Sequence, residues 1–501
     1  MRSVRKSAGG AVASAVALLL VASCSSKTTP VTANASGTST PPATSASPTD
    51  TMTHSATPTE STSTTPAATD PLKVSAPVTL NVAGLRPGST PEAKAALDKQ
   101  VGDFNAAHAD IKVVAKDYNW DASTFQAQLQ SNQVPVVFTV PFTDGRGLIE
   151  AKQIADMTTY VKAEPYGAQF NPGVLGNGQD AAGNIYGIPY TAYGVGLNYN
   201  RKLFKDAGLD PDKPPTTWDE VEAAAKAITA KTGKPGYVQM SKSNTGGWQI
   251  TTAIYTRGGR VESADGKTAT INTPAAKDAL TFLHKLRWED KVMGSNVLLD
   301  WPGINAQFAA GNVGMYTQGA DVYTYLIQNT KMNPADYGLT VLPVMSSDPN
   351  AGVLGGGSLA VVKATATEDE KKAAMQWIDY YFLSKLTNQD AAVRDAKQLI
   401  ANKQPVGTPA LPIFTKEQLD TANSWVKDLV NVPLEQMKGF NDNMGSLKIV
   451  NEPAAQTQAV YAVLDGPVQK VLSDPNANID ALLTAANTAA QNAINHPAAA
   501  K

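Results

Sequence analysis

Few residues of this chain have the types and spacings that make or break covalent bonds. Its four histidines, His54, His108, His284 and His496, are scattered, with no pairing at a metal-ligand interval. No Gly-x-Ser-x-Gly element is present to raise a nucleophilic serine. The run Gly355-Gly356-Gly357 leads into a strand pattern rather than a helix, and no Lys-Ser/Thr follows, so it is not a phosphate loop. Carboxylates are plentiful, but a glycosidase needs two that face each other, and no local motif singles out such a pair. These patterns argue against an enzyme and lead to the expectation of neither metal nor cofactor. The sole cysteine, Cys24, stands at the foot of an apolar run near the N-terminus, where it has no partner for an intramolecular disulfide.

The surroundings of Cys24 give it a role. Arg2, Arg5 and Lys6 form a basic start, and "AGGAVASAVALLLVAS" follows. This apolar run is shorter than the roughly 20 residues a bilayer span needs. No basic stop-transfer cluster comes after it, so residues 1–23 read as a secretory signal peptide and not a permanent membrane helix. Val21-Ala22-Ser23-Cys24 resembles a bacterial lipobox, in which the cysteine is lipidated and becomes the new N-terminus. Residues 25–70 are dominated by Ser, Thr, Pro and Ala and hold no aromatic residue, too little apolar surface to offset the entropy of ordering. Residues 24–73 are therefore expected to be a lipidated cysteine and a disordered stalk. The composition fits an O-glycosylated stalk and an unmodified spacer equally.

The folded body is expected from about Val74 to His496, roughly 420 residues, more than one core usually supports. A net charge of −2 with 17% charged residues gives no sign of a nucleic-acid or polybasic membrane partner. Strand patterns at 77–84, 110–118 and 134–142 alternate with helical ones, the third strand being apolar on both faces, which predicts a parallel α/β sheet. Ser89 with Glu92, Thr217 with Glu220, and Thr367 with Glu370 have capping-box spacing, and Thr273-Pro274 opens another helix. A hairpin is expected at 262–271, turning at Asp265-Gly266. From Thr415 onward the periodicity is helical.

The stretch "GNIYGIPYTAYGVGLNYNRKLFKDAGLDPDKPPTTWDEVEAAAKAI" (183–228) resembles the signature region of extracellular solute-binding proteins of family 1, the maltose-binding type. The hairpin at Asp265-Gly266, "FAAGNVGMYTQGADVYTYL" and "GVLGGGSLAVVKATATEDEKKAAMQWIDYYF" match the same family in the expected order. The resemblance implies an α/β clamp of two helix-flanked lobes joined by several crossings, the type II periplasmic-binding-protein arrangement. Lobe 1 is expected in 74–187 with a return near 312–364, and lobe 2 in 188–311 with a return near 365–496. It further implies a ligand held in the cleft, closure around it, delivery to the permease subunits of an ABC importer, and a monomer. A lipid on Cys24 would tether such a protein to the outer face of the cytoplasmic membrane.

Sugars offer apolar ring faces to aromatic side chains and hydroxyl edges to polar ones. On the implied cleft edges stand Arg86 and Ser89 after the first strand, Trp120 after the second, and Phe142 and Asp144 after the third. Tyr193 lies in the crossover, Trp248 in "SNTGGWQI", Trp301 before the "FAAGNVGMY" segment, Gln318 and Asp321 in "TQGADV", and Gly356 and Ser358 in the glycine run. For each ring the alternative is core packing, and for Asp144 and Asp321 it is helix capping. Trp218, at a capped helix start, is expected to be structural. Ala320 and Asp321 stand where many family members carry a bulky ring, which points to a more polar or smaller subsite. A polyol or glycerol phosphodiester is the alternative ligand class, although no basic cluster near the cleft awaits a phosphate. Two further alternatives are a glycoside-acting enzyme and a cell-wall or adhesion lipoprotein with no importer.

Overall fold

The computed structural model describes residues 70–496 apart from residues 88, 90, 122, 123, 346 and 454. The expectations for the signal segment, for Cys24 and for the stalk up to residue 69 lie outside the described residues. The body begins where Leu72 accepts a hydrogen bond from Gln376 Nε2 at 2.8 Å and Ser75 N–H donates to Asp369 at 2.9 Å.

Eight strands form the framework: β1 Val78–Ala83, β2 Ile111–Lys116, β3 Val137–Pro141, β4 Gly187–Asn200, β5 Met315–Gly319, β6 Tyr337–Val341, β7 Val353–Val362 and β8 Ile449–Asn451. β1 pairs in parallel with β2 and β3, as the strand–helix alternation predicts. The sheet is nevertheless mixed, because β7 enters antiparallel between β3 and β4. β4 serves two sheets. Its first half, Gly187 to Gly194, pairs with β7, and its second half, from Val195, pairs with β5 and β6.

Two hydrophobic cores flank this shared strand. One gathers Leu80, Phe138, Ile188, Leu359, Trp377 and Phe414, and the other Leu197, Ile228, Ile254, Met315, Leu354 and Leu464. Core membership changes three times along the chain: at Ala192–Val195, between Leu354 and Leu359, and between Phe414 and Val432. This division corrects the expected returns. Residues 313–354 pack with the second core, because β5 and β6 pair with the far half of β4. Residues 359–414 pack with the first, because β7 fills the gap beside β3. A satellite cluster of Ala392, Ala396, Leu399, Val406 and Val426 extends it.

Five helices carry residues used below: α1 Phe142–Glu150, α2 Thr245–Tyr255, α3 Trp301–Ala309, α4 Val322–Asn329 and α5 Thr457–Ser473. The capping boxes at Thr217 and Thr367 form as their spacing predicts. The Ser89 hydroxyl donates to the Arg86 carbonyl at 2.8 Å, and the helix that follows begins at Pro91. In the 262–271 turn only Gly266 takes a positive φ, +70°. Among the described residues no helix is long and apolar enough to cross a membrane.

Candidate ligand-binding cleft

Parallel strands release their loops at one edge, and this brings Arg86, Trp120 and Asp144 together. The indole N–H of Trp120 donates to Asp144 Oδ2 at 2.5 Å. Asp144 lies in the first turn of α1 but makes no cap bond, so it is not there to start the helix. Burial pushes its carboxyl up to about 7, against the pull of the Trp120 bond.

The middle of the cleft is the β4–β7 ribbon. A Cβ on Gly356 would lie 2.4 Å from the Tyr193 hydroxyl, so the missing side chain is the seat of that ring. A Cβ on Gly319 would meet Asp321 Oδ1 at 2.4 Å and Tyr193 Cδ2 at 3.0 Å, which places Asp321 against the same tyrosine. Asp321 holds the N-cap position of α4 without capping it. Burial raises its carboxyl to about 6, opposed by its own backbone N–H. Burial likewise drives the Tyr193 hydroxyl well above 10, with the charges of Glu452 and Asp321 adding to the effect.

The second core supplies the facing wall. Trp248, on the first turn of α2, donates its indole N–H to Glu452, which also accepts from Tyr461 Oη at 3.3 Å. Burial pushes Glu452 up to about 8. The bonds from Tyr461 and Trp248 oppose the shift, and the charge of Asp144 across the cleft adds to it. α2 is aimed by its entry. Ser243 and Asn244 take left-handed φ of +59° and +66°, and Asp465 accepts the N–H groups of Asn244 and Gly247 at 2.8 Å each. Gly246 and Gly247 lie inside the helix. A Cβ on Gly247 would sit 2.0 Å from the Tyr461 carbonyl oxygen, so its absence lets α2 and α5 touch. Trp301 opens α3, its ring 4.4 Å from that of Tyr325, and Tyr325 and Asp121 are the electrostatic neighbours of Arg86.

The two walls touch. Gln458 on α5 donates through Nε2 to Thr143 Oγ1 at 3.2 Å while its Oε1 accepts from Asn244 at 3.1 Å. Arg146 Nη2 donates to the Asp265 carbonyl at 3.0 Å.

Of the expected residues, Arg86, Trp120, Asp144, Tyr193, Trp248, Trp301 and Asp321 are thus joined through partners that span the gap. Gly356 supports Tyr193. Phe142 is placed differently. It is 7% exposed and fills the space a Gly357 Cβ would need, on the opposite face of β7 from Tyr193. There it borders a cavity of about 380 Å3 lined by Ala192, Gly355, Leu411, Phe440 and Met444. Ser89 is spent on its own turn, and the Ser358 hydroxyl is hydrogen-bonded to Tyr190. Gln318 is 3% exposed, its Oε1 accepting from Gly319 and its Nε2 unpaired. Sequence reasoning missed Glu452, Tyr461, Tyr325 and Asp465. The sole hint was Pro453, which breaks the C-terminal helical pattern beside Glu452. Among the described residues no three His, Cys, Asp or Glu side chains are placed to share a metal ion.

Known proteins carry the same plan. The sn-glycerol-3-phosphate-binding periplasmic protein UgpB of Brucella melitensis is 25% identical over 364 residues, covering 66% of this chain and 80% of that protein. The cyclic alpha-maltosyl-1,6-maltose binding protein from Arthrobacter globiformis superposes with a TM-score of 0.62 at 22% identity, over 83% of this chain and 99% of its own. UgpB from Mycobacterium tuberculosis, in complex with glycerophosphocholine, gives 0.64 at 16% identity, over 84% and 99%. These two structures show a common fold, the two-lobed α/β clamp of type II. The sequence pattern of the bacterial extracellular solute-binding proteins runs through residues 87–385, across both cores and most of the ribbon between them, and the chain belongs to that family.

Proposed function

We propose that this solute-binding protein captures a sugar between Trp120 and Trp248 and delivers it unchanged to an ABC permease. The observation that carries this reading is the matched pair of walls. Each presents an indole whose N–H is held by a carboxylate, Asp144 on one side and Glu452 on the other. Rings fixed in this way suit the apolar faces of a pyranose, and the carboxylates suit its hydroxyls. Arg86, Tyr193, Trp301 and Asp321 complete the proposed site, and the bonds from Gln458 and Arg146 across the gap fit a clamp that closes. The relatives that bind glycerol phosphates support the alternative of a phosphodiester ligand, but a site with three carboxylates is poorly suited to an anion.

A thermal-shift screen of the protein against neutral and charged sugars tests the reading. A ligand at 100 times its Kd should add about 2.7 kcal/mol of stability. Stabilisation by glycerol phosphates and by no sugar would overturn it, and release of a cleaved product would return the protein to the enzymes. The lipid tether proposed at Cys24 and the monomeric state belong to the same reading. Cys24→Ser should leave unprocessed precursor or released protein, and a variant still carrying labelled lipid would refute the tether.

A further inference from the structure

Trp248 stands in the first turn of α2, and α2 does not cap itself. Asn244 holds the N-cap position without making a cap bond, and its side chain donates to Gln458 Oε1 at 3.1 Å instead. The cap comes from α5, 221 residues after Asn244. There Asp465 accepts the N–H groups of Asn244 and Gly247, each at 2.8 Å, and that of Gly246. A helix start leaves such donors without an intrahelical partner. Gly246 admits the carboxylate, since a Cβ there would lie 2.7 Å from Asp465 Oδ1. One turn further along α5, Gln469 Nε2 donates to the Ser241 carbonyl at 2.6 Å. One turn back, Tyr461 Oη donates to Glu452, which also holds the Trp248 indole N–H. Gln458, Tyr461, Asp465 and Gln469 recur at three- and four-residue intervals, so they share one face of the helix. All four bond to the 241–248 segment or to the carboxylate that holds its indole.

The segment so held is strained. Ser243 and Asn244 take left-handed φ of +59° and +66° in succession, a conformation that non-glycine residues keep only where their surroundings over-determine it. The same helix face reaches the opposite wall, where Gln458 Nε2 donates to Thr143 Oγ1 at 3.2 Å, one residue from the Asp144 that holds Trp120. We propose that Asp465 is a positioning residue of the cleft: without touching the ligand, it fixes the strained entry of α2 and so sets where the Trp248 indole stands in the cleft wall. This deepens the sugar-binding reading and rests on it for the part that Trp248 plays.

Acrylamide quenching of tryptophan fluorescence on the full mature chain tests the hold on the ring. Each protein is measured with and without Trp248→Phe, so that the difference isolates this ring among the seven tryptophans. Asp465→Ala should raise the quenching of Trp248 at least twofold and leave the other six unchanged. Asp465→Asn, which keeps one acceptor oxygen, should restore at least half of the loss. Gln469→Ala removes only the bond to Ser241; it should shift Trp248 the same way by less, and it decides the matter should Asp465→Ala fail to fold. Unchanged quenching of Trp248, or a rise shared by all seven rings, would overturn the proposal. Calorimetry with maltose and with cellobiose then ties position to binding. Asp465→Ala should weaken binding of whichever sugar the parent takes by at least fivefold. Full affinity in a variant whose Trp248 has moved would overturn the positioning role and leave the sugar reading standing. A moved Trp248 in a protein that binds neither sugar would uphold the positioning and count against the sugar.

Discussion

The two faces of the β4–β7 ribbon lie one residue apart in sequence and behave as opposites. On one face Tyr193 packs over Gly356 beside Asp321 and Glu452. On the other, Phe142 packs over Gly357 beside Leu411, Phe440 and Met444, around a cavity of about 380 Å3. Adjacent glycines thus do the same steric work for different purposes. One makes room for the Tyr193 ring of the proposed site, and the other for the Phe142 ring.

The largest effect expected of this contrast is on stability. Phe142→Ala should cost about 3 kcal/mol, the low end for a buried ring, because the site already borders a void. Chemical denaturation would measure it. An unchanged midpoint together with lost sugar affinity would move Phe142 to the front face. The front face should be distinguished next by pH. Asp144, Asp321 and Glu452 are raised to about 7, 6 and 8 in the folded protein, whereas unfolded carboxyls titrate near 4. Between those values the folded state binds more protons than the unfolded one, so the stability of the ligand-free protein should fall as pH rises from about 4 to about 8. Melting temperatures across that window should decline in the native protein and decline less in Glu452→Gln, and equal slopes in both would remove Glu452 from the cluster.

Smaller effects concern the ligand. Trp248→Ala should weaken binding about tenfold, or about 1.4 kcal/mol, with little change in melting temperature, because the ring is half-buried at the cleft. A large fall in melting temperature with intact affinity would place that ring in the core instead. The least effect is expected at Gln458. Its bond to Thr143 joins the walls without touching the proposed ligand, and one such bond contributes about 0.5–1.5 kcal/mol. Gln458→Ala should therefore weaken binding by a few-fold through loss of closure, visible as a less compact liganded form in small-angle scattering. A variant as compact and as tight as the parent would show that the bond does not steady the closed form.

Local signals were readable before the structure. Thr217 and Thr367 cap helices because the capping box depends only on residues within one turn. Trp120 and Asp144 could be placed at one edge because parallel strands release their loops there. Phe142 could not be assigned to a face, since a strand's side chains alternate and the sequence does not mark where β3 yields to α1. Glu452 and Asp465 were invisible for a different reason. Their partners, Trp248 and Gly247, lie about 200 residues earlier, and only the folded contact between α2 and α5 brings them together. The division of the chain between cores was misread because the helical stretches after residue 365 carry no mark of the sheet they cover.

The insertion of β7 between β3 and β4 also governs when the protein can fold. The sheet of the first lobe has a gap until residue 362 has been made, and its core still awaits Phe414. The second lobe is unfinished until Leu483, Ala486 and Ala490 arrive on the last helix. Neither lobe can be completed while the other half of the chain is missing, and contacts of such long sequence separation form slowly. In a growing chain of this kind the first core can be completed only once Phe414 is made, and the second only near the end, at Ala490.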